Sequence, residues 1–189
     1  NGFIYYEDKI GGIKLPKPNI LGQFQIDNIA AAIATLRNLD FRIEEDQIKK
    51  GITKIKSIAR LQEIKSGKLK DLCKNNKIFV DGSHNPLGAK VLNKYLDNFN
   101  CNKHIILGMM ANKDHNKYIS YFKNITSLTT VDIPNQNNAI KGIELKNKFT
   151  NAQFRESIQE AIDKLNLKEN DIILITGSLY LAGEVLNLN

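Results

Sequence analysis

The chain has 189 residues, 25% of them charged and 42% hydrophobic, which is an ordinary composition for a soluble globular protein. Its apolar runs are too short to cross a bilayer, so we expect no membrane partner. The formal charge of +7 raises the alternative of a nucleic-acid-binding domain. The lysines are scattered rather than clustered, however, and we interpret them as solvated surface. Cys73 and Cys101 have no metal-like spacing and no disulfide pattern, which favours the cytoplasm.

The first 56 residues predict a small α/β unit. Residues 3–6 and 9–14 have the composition of short strands, the second half of residues 21–36 predicts an Ala-rich helix, and residues 44–50 predict a second helix. The first residue is Asn rather than Met, and the N-terminal segment lacks the apolar stretch of a signal peptide. We therefore expect the chain to begin inside a larger one.

A boundary near residues 56–58 precedes a regular alternation of strands and helices. Residues 59–64 begin a strand-like unit, and residues 66–76 are expected to be a polar connection. Strands are then predicted at residues 78–81, 104–108, 128–133, 152–154 and 171–176, and helices at residues 86–97, 117–123, 140–149, 157–165 and 178–186. Several of these strands are apolar throughout, as expected where helices cover both faces. The pattern predicts an α/β fold with a largely parallel sheet.

Three of these predicted strands end in polar turns. They are Asp81-Gly82-Ser83-His84-Asn85-Pro86, Gly108-Met109-Met110-Ala111-Asn112-Lys113-Asp114 and Thr176-Gly177-Ser178-Leu179-Tyr180-Leu181-Ala182-Gly183. In a parallel sheet the three turns lie along one edge, where open α/β sheets bind their ligands. For an isolated D-G-S turn, capping of the following helix would be the simpler interpretation.

Together with Ala59-Arg60-Leu61-Gln62 and Gly22-Gln23-Phe24-Gln25-Ile26-Asp27-Asn28, these motifs resemble the folylpolyglutamate synthase/dihydrofolate synthase branch of the Mur ligase superfamily. The resemblance covers nearly the whole chain, in the right order. It implies ATP-dependent ligation of L-glutamate to a folate or dihydropteroate carboxylate through an acyl phosphate. It also implies a central P-loop ATPase domain, a Rossmann-like C-terminal domain, and an active site between them. Residues 57–189 would be the C-terminal glutamate ligase domain, and residues 1–56 the C-terminal remnant of the central ATP-binding domain.

The resemblance also implies roles for five residues. Asn28 matches a position near the adenine, Arg60 one that reaches the ATP phosphates, and Asp81 one associated with the nucleotide. His84 and Ser178 match positions near the incoming glutamate, and Arg60 and His84 are the expected catalytic residues. A guanidinium would stabilise the charge that develops at the acyl phosphate. The structural alternatives are a surface Arg60, a helix-start Asn28, a solvated His84 and an N-capping Ser178.

Other features depart from the family pattern. The G-x-x-G-K-[ST] loop that cradles phosphates is absent from this sequence, as are the central domain's Mg²⁺ ligands and modified lysine. Phe24 stands where many relatives have His, and Ala59 where Gly usually precedes the Arg. We therefore expect little or no ligase activity from this chain alone, and expect ATP, Mg²⁺ and a separate N-terminal P-loop chain as cofactors and partner. The alternative is a non-catalytic nucleotide- or partner-binding remnant.

Overall fold

The structure, a computed structural model, describes residues 2–189. The chain divides into two compact units, Asn1–Ile58 and Ala59–Asn189, and the division falls close to the boundary expected from the sequence. That the first unit derives from an ATP-binding domain stays a prediction. Among residues 2–189, no helix combines the length and the apolar character needed to cross a membrane.

The first unit is an antiparallel hairpin and two helices around a small aliphatic core. Its elements are β1 (Phe3–Asp8), β2 (Gly11–Pro16), α1 (Gln23–Arg37) and α2 (Glu45–Thr53). The buried side chains of this core alternate along β2 and recur at helical spacing along α1 and α2. They are Ile13, Leu15, Ile29, Ile33, Ile48 and Ile52. The Arg37 guanidinium joins α1 to the hairpin, because it contacts the Asp8 carboxylate at 2.8 Å and the Gly11 carbonyl at 2.7 Å.

The second unit is a six-stranded sheet covered by helices. Its elements are β3 (Gln62–Ile64), α3 (Lys68–Cys73), β4 (Lys77–Asp81), α4 (Pro86–Leu96), β5 (Lys103–Leu107), α5 (His115–Ser120), β6 (Ser127–Val131), α6 (Gly142–Lys146), β7 (Ala152–Arg155), α7 (Ile158–Asp163), β8 (Ile172–Thr176) and α8 (Leu179–Leu188). The strand order is β3-β4-β8-β5-β6-β7, and every neighbouring pair is parallel except β3 and β4. The predicted α/β fold with a mostly parallel sheet is confirmed.

The central position of β8 explains its composition. It lies between β4 and β5, and all five of its residues are buried, so neither face of the strand tolerates a charged side chain. The same order brings the carboxyl ends of β4, β8 and β5 side by side. The three polar turns singled out in the sequence are therefore neighbours in space.

The polar connection expected for residues 66–76 is wrong in part, because it contains α3. Leu69 and Cys73 are one helical turn apart, and both are fully buried. The Lys70 ammonium stabilises the turn that follows α3, because it donates to the carbonyls of Lys74 and Asn76, each at 2.6 Å. Two buried side chains in a polar stretch are a weak helical signal, and only their packing against the sheet defines the helix.

Candidate functional site

The turn after β4 is organised by the carboxylate of Asp81. This residue ends the strand, is 3% exposed, and accepts the N–H of Ser83 at 2.7 Å and the N–H of Leu61 at 2.6 Å. Burial raises the pKa of Asp81, whereas the two N–H donors and the nearby charge of Arg60 act to lower it. The carboxylate therefore connects the D-G-S turn to the loop that carries Arg60.

His84 follows in the same turn and is half-buried. Its Nδ1 lies 3.1 Å from the carbonyl oxygen of Gly82. A carbonyl can only accept, so this contact requires the proton on Nδ1 and leaves Nε2 as an acceptor in the neutral ring. Asn85 then caps α4 by accepting the N–H of Gly88 at 2.9 Å. Asn85 is therefore the residue of this turn that caps α4, and His84 takes no part in capping.

The turn after β8 lies directly against the turn after β4. Gly177 donates its N–H to the Ser83 carbonyl at 3.0 Å. Ser178 is 2% exposed and caps α8, because its hydroxyl accepts the N–H of Tyr180 at 3.1 Å. The expectation that Ser178 opens this helix as its N-cap is therefore met, and its role toward a substrate stays a prediction.

Tyr118 on α5 forms hydrogen bonds to the end of β8 and to the turn after β4. Its fully buried phenol shares a 2.8 Å hydrogen bond with the Thr176 hydroxyl and donates to the Ser83 carbonyl at 3.1 Å. Burial raises the pKa of Tyr118, so the phenol stays protonated and available as a donor. No sequence motif points to Tyr118, because its hydrogen-bond partners are distant in the chain.

The turn after β5 is held on both sides by backbone contacts. The ring Nε2 of His115 donates to the Met110 carbonyl at 3.0 Å, and the Ala111 N–H donates to the Asn138 carbonyl at 2.9 Å. Asp114 caps α5 by accepting the N–H of Lys117. These contacts fix the loop that carries the half-buried Lys113.

The three turns, together with the loop after β6, line a cleft of about 550 Å³. It is lined by His84, Met110, Ala111, Asn112, Lys113, Asn137, Asn138, Ser178, Leu179 and Tyr180. Two of the residues predicted from the sequence, His84 and Ser178, are therefore brought together. Lys113 joins them and pairs with no carboxylate among residues 2–189. A cation, an imidazole and a helix start suit a small molecule that carries a carboxylate.

The other predicted residues lie elsewhere. Arg60 is exposed and does not line this cleft, although it follows the backbone segment that Asp81 holds. Asn28 belongs to the first unit, where it is exposed on α1 and donates from its amide to the Gln25 side chain at 3.0 Å. Within the second unit the structure thus groups Arg60 with Asp81 and His84 with Ser178.

The described residues offer no metal centre. Across residues 2–189, no three His, Cys, Asp or Glu side chains converge as ligands. Asp81 has both carboxylate oxygens engaged by backbone donors, and His84 has no carboxylate partner in the part of the chain that the structure describes. We therefore assign no Mg²⁺ ligand to this chain and derive no step through a metal ion.

Comparison with known proteins agrees with this geometry. Residues 59–179 match the sequence family described as "Mur ligase, glutamate ligase domain". This match shows that the chain belongs to the Mur ligase family. The six-stranded, mostly parallel sheet with a cleft at its carboxyl edge is consistent with that family's glutamate ligase domain. The resemblance drawn from the D-G-S-H-N-P and G-S-L-Y-L-A-G motifs is confirmed.

Individual relatives point to one branch of that family. The chain is 30% identical, over 173 residues, to the dihydrofolate synthase/folylpolyglutamate synthase of Buchnera aphidicola subsp. Acyrthosiphon pisum. That match covers 88% of this chain but only 40% of the relative. The chain therefore spans about two fifths of the length of this relative.

Solved structures share the fold. Folylpolyglutamate synthase of Mycobacterium tuberculosis, complexed with ADP and AMPPCP, has a TM-score of 0.76 at 22% identity, covering 94% of this chain and 42% of its own. FolC of E. coli, in complex with DHPP and ADP, has a TM-score of 0.76 at 21% identity, covering 98% of this chain and 45% of its own. At these identities the likeness describes the fold alone.

Proposed function

We propose that this chain supplies one side of the active site of an ATP-dependent ligase that joins L-glutamate to the carboxylate of a folate or of dihydropteroate. The observation that carries the proposal is the cleft at the carboxyl ends of β4, β5 and β8, which is lined by His84, Lys113 and Ser178. The names and ligands of the relatives supply the reaction and its substrates.

L-Glutamate is the proposed occupant of this cleft. It carries two carboxylates, for which the Lys113 ammonium and the N-terminal end of α8 at Ser178 provide complementary charge. Its amine must lose a proton as it attacks the activated carboxyl carbon. The Nε2 of His84 is the acceptor that the Gly82 contact leaves free, so we assign it the role of general base.

ATP is proposed to approach the loop that carries Arg60. The substrate carboxylate would attack the γ-phosphorus and release ADP, and the amine would then displace phosphate from the acyl carbon. Negative charge accumulates in both steps, and the exposed guanidinium of Arg60 would stabilise it. Asn28 and Asp81 are the further nucleotide residues proposed from the resemblance. The divalent ion that accompanies ATP would be held by residues outside this chain.

The test is ligation by purified protein. The chain is incubated with ATP, Mg²⁺, L-glutamate and dihydropteroate or a folate, and the product is measured by mass spectrometry. We expect little or no product from the chain alone and product when a separate chain bearing a P-loop domain is added. Arg60→Ala and His84→Ala should each lower the rate by about 100-fold or more. Lys117→Met, on the exposed surface of α5, is the control and should leave the rate unchanged.

The alternative is a non-catalytic nucleotide- or partner-binding remnant of such a ligase. It predicts ATP binding without ligation, even with the P-loop chain present. The ligation assay with the P-loop chain present separates the two functions. Calorimetric titration shows whether this chain binds ATP, and Arg60→Ala should weaken that binding under either function. Robust ligation by the chain alone would overturn the need for a partner.

A further inference from the structure

The carbonyl oxygen of Ser83 accepts hydrogen bonds from two separate elements. The donors are the N–H of Gly177 at 3.0 Å and the phenolic O–H of Tyr118 at 3.1 Å. Ser83 is 8% exposed, so water has little access to this residue. The carbonyl belongs to the planar peptide unit that joins Ser83 to His84. Donors from the turn after β8 and from α5 therefore fix the backbone from which the His84 side chain projects.

The direction of the hydrogen bonds at Tyr118 follows from its single hydroxyl proton. A carbonyl can only accept, so this proton points to Ser83, and in the 2.8 Å contact with Thr176 the threonine hydroxyl donates. Thr176 and Tyr118 are both buried. Because hydrogen bonds in sequence strengthen one another, the Tyr118 hydroxyl connects the end of β8 to the Ser83 carbonyl more firmly than either contact alone.

The Tyr118 hydroxyl acts on the cleft only through the backbone. Tyr118 is fully buried and does not line the cleft, whereas His84, which directly follows Ser83, does. The contact between the Nδ1 of His84 and the Gly82 carbonyl spans Ser83, so it depends on the backbone angles of Ser83. A proton acceptor has to lie within hydrogen-bond distance of the proton that it removes. A displacement of about 1 Å at such a group costs about 100-fold in rate.

We propose that Tyr118 is a positioning residue for the ligation: its hydroxyl holds the peptide between Ser83 and His84 and thereby directs the Nε2 of His84 toward the amine of the incoming glutamate. The inference rests on the proposed function for the role of His84 as general base. The hydrogen-bond geometry that carries it is independent of that role. The phenol ring packs against the Phe122 ring at a centroid distance of 5.6 Å, so packing belongs to the ring and positioning to the hydroxyl.

The first experiment observes the His84 ring directly, by NMR of the imidazole nitrogens at about pH 8, where a free imidazole is neutral. We expect the tautomer with its proton on Nδ1 to predominate in the unaltered chain, and His84→Ala identifies the signals. Tyr118→Phe removes only the hydroxyl, and the ratio of the Nδ1–H to the Nε2–H tautomer should fall about fivefold. Tyr121→Phe, on a half-buried side chain, is the matched control and should leave the ratio unchanged. An unchanged ratio in Tyr118→Phe would contradict the proposal.

The second experiment asks whether Tyr118 acts through His84. Ligation is measured with the P-loop chain added, at a temperature at which every variant is folded. If Tyr118 positions the base, Tyr118→Phe should lower kcat about tenfold and leave the KM for ATP unchanged. The double variant with His84→Ala should then be no slower than His84→Ala alone. Losses that multiply in the double variant would mean that Tyr118 acts elsewhere, and the proposal would be wrong.

Two variants of Thr176 separate positioning from simple damage to the fold. Thr176→Ser keeps the hydroxyl that donates to Tyr118, whereas Thr176→Val removes that hydroxyl and keeps the branched shape. We expect the tautomer ratio of His84 and the kcat of ligation to stay close to the unaltered values in Thr176→Ser and to fall in Thr176→Val. Equal falls in the two variants would indicate lost packing and would refute positioning by the hydroxyls.

The two experiments also distinguish failure of this inference from failure of the proposed function. If the unaltered chain and the P-loop chain together give no ligation, the proposed function fails. The tautomer ratio needs neither substrate nor partner, and it then decides whether the Tyr118 hydroxyl positions the His84 ring.

Discussion

Gly177 donates its N–H to the carbonyl oxygen of Ser83 at 3.0 Å, and this bond joins the turn after β8 to the turn after β4. The two turns come from opposite ends of the second unit's sequence. Their neighbouring strands pair in parallel, with Asp81 opposite Thr176 as the last pair in register. The cleft residues His84 and Ser178 lie immediately beyond this junction, so its geometry controls their separation.

Gly177→Ala should disrupt this junction. Gly177 has a φ of +109°, and an added Cβ would lie 2.6 Å from the Gly108 carbonyl oxygen and 2.8 Å from Met109. We expect the free energy of unfolding to fall by about 2–5 kcal/mol, since strain and overpacking add. Chemical denaturation measures it. Gly183→Ala in α8 is the control, because its Cβ meets nothing within 4 Å, and it should be neutral or stabilising.

Tyr118→Phe removes one hydroxyl from the same junction without changing its packing. The phenol bonds to Thr176 and Ser83 while fully buried, so the change should cost about 1–2 kcal/mol of unfolding free energy. Tyr121→Phe, on a half-buried side chain one turn away, should cost less than about 0.5 kcal/mol. Equal effects of the two changes, in thermal or chemical denaturation, would contradict a special role for Tyr118.

The strands and the edge that bears the site were predictable because the pattern there is strong. β4, β5 and β8 are nearly uninterrupted apolar runs, and each is followed by glycine and polar residues. Parallel pairing then requires all three turns to share one edge. His84 and Ser178 could therefore be placed together before any coordinates.

The contacts of individual side chains could not be predicted from the sequence. Asp81 at a strand end is compatible with a ligand role or with a backbone contact, and only the fold brings the Leu61 N–H to it. Lys113 and Tyr118 share the limitation, since their neighbours come from other turns. The α3 helix was missed because Leu69 and Cys73 alone define its buried face.

The two cysteines should differ in reactivity toward a disulfide reagent. Cys73 is fully buried, burial raises the pKa of its thiol to about 11, and its Sγ–H donates to the Leu69 carbonyl. Cys101 is only half-buried, although burial raises its pKa as well. At about pH 8 we expect one thiol per chain to react in the folded protein and both after denaturation. Cys101→Ser should abolish the fast reaction, and a fast thiol remaining in that variant would contradict the placement of Cys73.

Asp171 should make the fold sensitive to acid. Burial acts to raise the pKa of its carboxyl, but the Lys168 N–H and the His104 ring outweigh burial and hold the pKa below the ordinary 3.8. The unfolded chain therefore takes up this proton first as the pH falls. The stabilisation is present above pH 3.8 and is lost as the pH falls through the lower folded-state pKa.

Asp171→Asn tests this linkage. Near neutral pH we expect the free energy of unfolding of the variant to be about 1–3 kcal/mol lower than that of the unaltered chain, because an amide replaces a buried, charge-assisted acceptor. The gap should narrow steadily as the pH falls from about 5 toward about 2, where both proteins carry an uncharged group at this position. Denaturant titrations at a series of pH values measure the gap, and the exposed Asp163→Asn serves as the reference. A gap that stays constant with pH would mean that the Asp171 carboxylate contributes through shape alone.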